Sequence, residues 1–127
     1  MRLLVDTHVL FWSLVDDPKL PIQFKQLMRD PSNSSFVSVV SGWEIATKVR
    51  IGKWPEAALL LPGLTQKVKA AGLGIEPLSL DQAEQAGSLL LDHKDPFDRL
   101  LAAQAMDRAM VMLSVDPVFA AFGCNVI

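Results

Sequence analysis

Four acidic residues carry the chemistry that this sequence offers. They are Asp6, Glu44, Asp98 and Asp116. Asp6 and Asp116 each stand just past the end of a short apolar run, Arg2 to Val5 and Met110 to Val115. Runs of this kind read as strands covered on both faces, and open parallel sheets bind ligands beyond the carboxyl ends of their strands. Glu44 belongs to a helix entered directly from another expected strand, Ser35 to Ser38. Asp98 lies in the first turn of a helix begun by Asp95 and Pro96. Gathered at one rim, four carboxylates repel one another, and a hard divalent cation such as Mg²⁺ or Mn²⁺ relieves that repulsion with oxygen ligands. Zinc suits the set less well, because histidine and cysteine are scarce. Each acid also has a plain structural role available. Asp-Pro occurs at Asp17, Asp30, Asp95 and Asp116, each a competent turn or cap. Glu44 can form an exposed pair with Lys48, four residues on.

The elements that must position these residues alternate between strand and helix. After the first strand, helices are expected over His8 to Val15 and Ile22 to Arg29, then a turn-rich loop from Asp30 to Ser34 and the Ser35–Ser38 strand. A helix from Val39 to about Ile51 places Val39, Trp43, Ala46 and the stem of Arg50 on one face. Gly42 inside it costs ~1 kcal/mol relative to alanine. A helix from Glu56 towards Ala71 is kinked or split at Pro62-Gly63. A strand at Ile75–Leu78 and a helix from Ser79's cap to about Leu91 follow. The next helix, Pro96 to Arg108, aligns Phe97, Leu100, Leu101, Gln104 and Ala105. Asp95 suits its N-cap, Pro96 its first position and Asp98 its capping-box position. A strand, a short helix Val118–Phe122 and a last strand Asn125–Ile127 end the chain. This order predicts one α/β domain over residues 1–127, with a mainly parallel central sheet flanked by helices.

Composition narrows the function. Twelve Lys and Arg against 14 Asp and Glu leave a net charge of −2, so no global basic field favours nucleic acid and any such binding needs a local patch. Half the residues are hydrophobic, which suggests apolar surface kept for a partner. A single cysteine excludes an intrachain disulfide and fits a reducing cytosol. Apolar runs such as Ala57–Leu61 fall far short of the ~20 residues of a membrane span, so a cytoplasmic protein with no membrane partner is expected.

The pieces Leu4-Val5-Asp6-Thr7-His8-Val9-Leu10, Ser38-Val39-Val40-Ser41-Gly42-Trp43-Glu44-Ile45, Lys48 with Gly52-Lys53, Asp95-Pro96-Phe97-Asp98-Arg99-Leu100-Leu101 and Ser114-Val115-Asp116 occur in this order along nearly the whole chain. As an ordered set they resemble the PIN-domain ribonucleases, and among these the VapC-type toxins of bacterial toxin–antitoxin pairs. The resemblance implies that Asp6, Glu44, Asp98 and Asp116 bind Mg²⁺ or Mn²⁺ and hydrolyse RNA phosphodiester bonds. It implies that Thr7 and Ser114 support the carboxylates through their hydroxyls, with Asp95 as a cap or outer neighbour. It also implies a homodimer and a cognate antitoxin that covers the cleft. The segment Ala57 to Leu64 and Trp54 are expected to supply apolar surface for such partners.

Lys48, Arg50, Lys53 and Arg99 are the cations expected to hold RNA phosphates, Arg99 alternatively pairing with a carboxylate. Trp12, Trp43 and Trp54 are expected to pack rather than to stack bases, and neither His8 nor His93 is given a catalytic role. A phospho-accepting receiver domain fits poorly: Asp6 lacks an acidic neighbour and no lysine follows Lys94. A haloacid-dehalogenase-type phosphatase fails because His8 stands where its second acid belongs. The remaining alternative is a PIN-like module that binds RNA or protein without catalysis.

Overall fold

The computed structural model describes all of residues 1–127. Its sheet contains β1 (Arg2–Val5), β2 (Ser34–Ser38), β3 (Gly74–Glu76) and β4 (Val111–Leu113), in the order β3-β2-β1-β4. All three pairings are parallel, with Leu4 opposite Phe36 on one side and Met112 on the other. The helices are α1 (Thr7–Val15), α2 (Ile22–Arg29), α3 (Val39–Arg50), α4 (Leu64–Ala70), α5 (Leu80–Ser88), α6 (Pro96–Asp107) and α7 (Val118–Phe122). A 3₁₀ helix at Pro55–Leu60 precedes α4.

Two cores explain why β1 is apolar without alternation. Leu3 and Val5 join Val9, Leu10, Phe24, Val37, Ile45, Leu60 and Leu113 in one core. Leu4 joins Val40, Phe97, Leu101, Ala105, Met112 and Phe119 in the other. A central strand with helices on both faces has no side left for polar residues.

The helical segment after Glu56 is split at Pro62-Gly63 as expected, with Gly63 at φ +90°, though its first half is a 3₁₀ helix. Other local expectations are corrected. The third strand stops before Pro77, which has no N–H to add to a ladder. The C-terminal strand is reduced to one bridge, Val126 against Met112. The helix after Ser79 ends at Ser88, short of Leu91. In α3 the buried residues are Val40, Ser41, Glu44 and Ile45, while Val39, Trp43, Ala46 and Arg50 are exposed. The expected inner face is therefore the outer one. The cause is that α3 begins at the sheet rim between the two cores, giving Val40 to one and Ile45 to the other. The segment after Trp54 is apolar surface only in part: Ala57 and Leu60 are buried in the first core and Trp54 packs on it, whereas Ala58 and Leu59 are exposed. Trp54 stacks on His8 at 4.5 Å and meets the edge of Phe11 at 5.2 Å.

Candidate active site

Asp6 leaves β1 directly into α1. Its carboxylate accepts the Thr7 N–H at 2.7 Å and the Ser114 hydroxyl at 2.7 Å, and the residue is buried. Burial pushes its pKa above the usual carboxylate range, against the pull of the Ser114 and Thr7 bonds and of nearby His8, and the charge of Glu44 adds to the rise. Ser114 also accepts the Asp116 N–H at 3.0 Å, so one hydroxyl ties the ends of the adjacent strands β1 and β4 together. The Thr7 hydroxyl does not reach a carboxylate. It pairs with Ser41 of α3 at 2.8 Å, joining the starts of two helices.

Glu44 lies in the second turn of α3 on the buried face. One oxygen, Oε2, accepts from the Lys48 ammonium, whereas Oε1 is buried without a hydrogen-bond partner. An ionised oxygen kept from water and left unpaired is costly, and such an atom in a native fold calls for a ligand. The pairing with Lys48 foreseen from the spacing is present but is not a surface pair: the Glu44 side chain is 4% exposed and that of Lys48 24%. Burial lowers the Lys48 pKa, yet the hydrogen bond to Glu44 and the charges of Glu44, Asp95 and Asp98 outweigh it, and the net shift is upward.

Asp98 sits in the first turn of α6. Asp95 caps that helix by accepting the Phe97 N–H at 2.9 Å and the Asp98 N–H at 3.3 Å, and Pro96 takes the first position. Burial raises the Asp98 pKa to about 6, the His93 bond opposes the rise, and Asp95, Asp6 and Glu44 add to it. Carboxylates from β1, α3 and α6 thus act on one another across a small space, with Lys48 facing Glu44, Asp95 and Asp98. Asp116 stands apart from this mutual repulsion. It is exposed, accepts the Val118 N–H at 2.9 Å at the start of α7, and is joined to Asp6 only through Ser114.

The cations divide differently from expectation. Arg50 and Lys53 are exposed at the C-terminal end of α3 and beyond it, with Arg50 ~9 Å along the helix axis from Glu44. Arg99 is turned to backbone carbonyls and pairs with no carboxylate. Its donors reach the carbonyl oxygens of Ala86 (2.9 Å), Leu91 (2.7 Å), His93 (3.0 Å), Gly87 (3.5 Å) and Leu89 (2.6 Å). All five guanidinium N–H directions are engaged, so Arg99 fixes the end of α5 and the loop that follows. That loop carries His93, whose Nε2 lies 2.8 Å from Asp98 Oδ2 and whose ring meets Phe122 edge-on at 5.6 Å.

His93 is one residue that sequence reasoning passed over, and Gln104 is another. Gln104 is fully buried on α6, accepts from the Ser38 hydroxyl and donates to the Pro77 carbonyl at 3.1 Å. Ser38 in turn accepts the Val40 N–H at 3.0 Å as the N-cap of α3. Gln104 therefore locks the Asp98 helix to the start of the Glu44 helix. An amide in the middle of an apolar helix face was the available signal.

The donor set suits a hard divalent cation: the acids are all-oxygen, they repel one another, and Glu44 Oε1 is an unpartnered buried carboxylate oxygen. As the side chains stand, no group of three or more His, Cys, Asp or Glu residues is arranged to hold a metal ion.

The family model for the PIN domain matches residues 3–123, and the chain belongs to the PIN domain family. Among solved structures, the fold is similar to VapBC2 from Rickettsia felis bound to a DNA fragment from its promoter (TM-score 0.68, 16% identity, covering 100% of this chain and 98% of that one). It is also similar to FitAcB from Neisseria gonorrhoeae (TM-score 0.61, 20% identity, 98% and 96% covered). A third is the sarcin–ricin loop cleaving toxin VapC20 of Mycobacterium tuberculosis (TM-score 0.59, 17% identity, 96% and 95% covered). No curated protein matches the sequence.

Proposed function

We propose that this protein is a Mg²⁺- or Mn²⁺-dependent endoribonuclease, the toxin of a toxin–antitoxin pair. The observation that carries the reading is the mutual charge of Asp6, Glu44 and Asp98, delivered from three elements of a PIN-domain chain, with Glu44 Oε1 buried and unpartnered. Asp6, Glu44, Asp98 and Asp116 are the residues that would hold the ion. Bound there, it supplies a water that ionises near neutral pH and polarises the phosphoryl oxygens.

The chain's own residues have distinct tasks in this reading. Ser114 and the Thr7 N–H fix the two oxygens of Asp6, and His93 fixes one oxygen of Asp98. Carboxylates held in this way present their remaining lone pairs to an ion in a set orientation. Asp95 starts α6 and so aims Asp98. Glu44 or Asp116 accepts the proton of the attacking water. Lys48, with Arg50 and Lys53 further out, holds RNA phosphates.

Partners follow the same reading. The VapBC and FitAcB structures support an antitoxin for this chain. Trp43 (56% exposed), Leu80 (86%) and Leu90 (101%) offer apolar surface to an antitoxin or to a second copy in a homodimer. No helix is long and apolar enough to cross a membrane, and a cytoplasmic setting among RNA is part of the proposal.

The test is incubation of antitoxin-free protein with structured RNAs in Mn²⁺, in Mg²⁺ and in chelator. Metal-dependent cleavage, abolished by Asp6→Asn, is the expected result. Intact RNA across a broad panel, together with no Mn²⁺ binding by calorimetry, would overturn it in favour of an inert PIN-like module that binds RNA or protein.

A further inference from the structure

Lys48 is set among the carboxylates rather than on the open surface. Its ammonium lies on Glu44 Oε2, only 24% of its side chain is exposed, and it stands 5.7 Å from the centre of the Phe97 ring. Phe97 directly precedes Asp98, so the lysine spans from α3 to the Asp98 turn of α6. The same Glu44 carboxylate carries the unpartnered buried oxygen. A dication and an ammonium drawn to one buried carboxylate repel each other strongly at this range. Glu44 has a second oxygen free for the ion, but the repulsion between the two cations favours release of the one that is less firmly held.

The two basic residues near the acids differ in their freedom to move away. Arg99 has its donors committed to five carbonyls, and withdrawing it would release the loop that bears His93. Lys48 makes one bond, to Glu44, on a flexible four-carbon stem that can swing without disturbing the backbone. A compact ammonium also needs no forked geometry to hold a phosphate oxygen.

We propose that Lys48 changes partners during the reaction. A divalent cation takes Glu44 from it, and the released ammonium then holds a non-bridging phosphate oxygen of the RNA. Before metal arrives, Lys48 neutralises the acids; afterwards it binds substrate. This inference rests on the metal-nuclease reading and adds to it a residue that couples metal loading to RNA binding.

The experiment compares wild type with Lys48→Met, which keeps the stem and removes the charge. Calorimetry with Mn²⁺ alone should show about tenfold tighter binding by the variant, because the competing ammonium is gone. RNA cleavage at saturating Mn²⁺ should show KM raised about tenfold with a smaller change in kcat. In wild type labelled at lysine, the Lys48 ammonium resonance should move as Mg²⁺ saturates the site. Circular dichroism checks that the variant is folded, and Lys48→Arg provides a second charged variant should methionine prove unstable: it should retain Mn²⁺ affinity near wild type. Equal or weaker Mn²⁺ binding by folded Lys48→Met would overturn the exchange, and so would a Lys48 resonance that stays still at Mg²⁺ saturation. That resonance separates true release from a general field effect. Wild type that neither binds Mn²⁺ nor cleaves RNA would overturn the metal-nuclease reading along with the exchange. Wild type that does both, beside a silent Lys48, would overturn the exchange alone.

Discussion

Replacing Asp98 with asparagine should stabilise the protein while removing its activity. The Asp98 carboxyl titrates at about 6 rather than 3.8, chiefly through burial and with help from Asp95, Asp6 and Glu44. A shift of that size corresponds to about 3 kcal/mol of unfavourable interaction in the ionised form. The side chain is 15% exposed and its residue is open to solvent on one side, so screening brings the useful figure to about 1–2 kcal/mol. Asparagine retains an oxygen to meet His93 and removes the charge. The gain depends on pH with a definite sign. Well below pH 3.8 the aspartate is protonated whether the chain is folded or not, and the substitution gains nothing. From there up to about 6 the unfolded chain has released a proton that the folded one keeps, so the wild type loses stability as pH rises. Above about pH 7 the deficit is constant. Thermal unfolding in chelator at about pH 7.5 should therefore place Asp98→Asn ~4–8 °C above wild type. At about pH 4.5 the difference should shrink to roughly a third. A variant less stable than wild type at the higher pH, or an advantage that does not change with pH, would refute the reasoning. Added Mn²⁺ should raise the wild type and leave the variant nearly unmoved.

Other substitutions probe the groups around the acids. Ser114→Ala removes the hydroxyl that donates to Asp6 and accepts from the Asp116 N–H, so Mn²⁺ binding by calorimetry should weaken about tenfold. Arg99→Met should cost about 2 kcal/mol in denaturant unfolding and speed proteolysis between Ala86 and His93. Arg99→Lys should not restore protection, since one ammonium cannot serve five carbonyls. Gly42→Ala should raise stability by ~1 kcal/mol in the same unfolding assay, because a methyl there meets only the Leu64 Cδ2 at 3.8 Å. Gly74→Ala should do the reverse, since its methyl would stand 2.6 Å from the Phe36 ring. Leu60→Asp should unfold the protein rather than merely weaken a surface contact, because Leu60 is 1% exposed in the core.

What the sequence determined by itself is local in origin. The unalternating apolar runs marked β1 and β4, Pro62-Gly63 marked the break after the 3₁₀ helix, and Asp95-Pro96 marked the start of α6. These features rest on backbone chemistry and nearest neighbours, which a sequence displays directly. The positions of Asp6, Asp98 and Asp116 followed from the same local signals, as side chains set just beyond strand ends or at a helix start. Tertiary structure alone decided which side of α3 faces inward. Its apolar residues lie all around the helix, so periodicity offered no single answer, and the two cores at the sheet rim chose the side carrying Glu44. It also decided the partners of the charges. Arg99 faces five carbonyls 6 to 13 positions back along the chain, and Gln104 meets Ser38 across 66 positions. Hydrogen bonds over such separations depend on how the helices cross the sheet, and no spacing in the sequence records that.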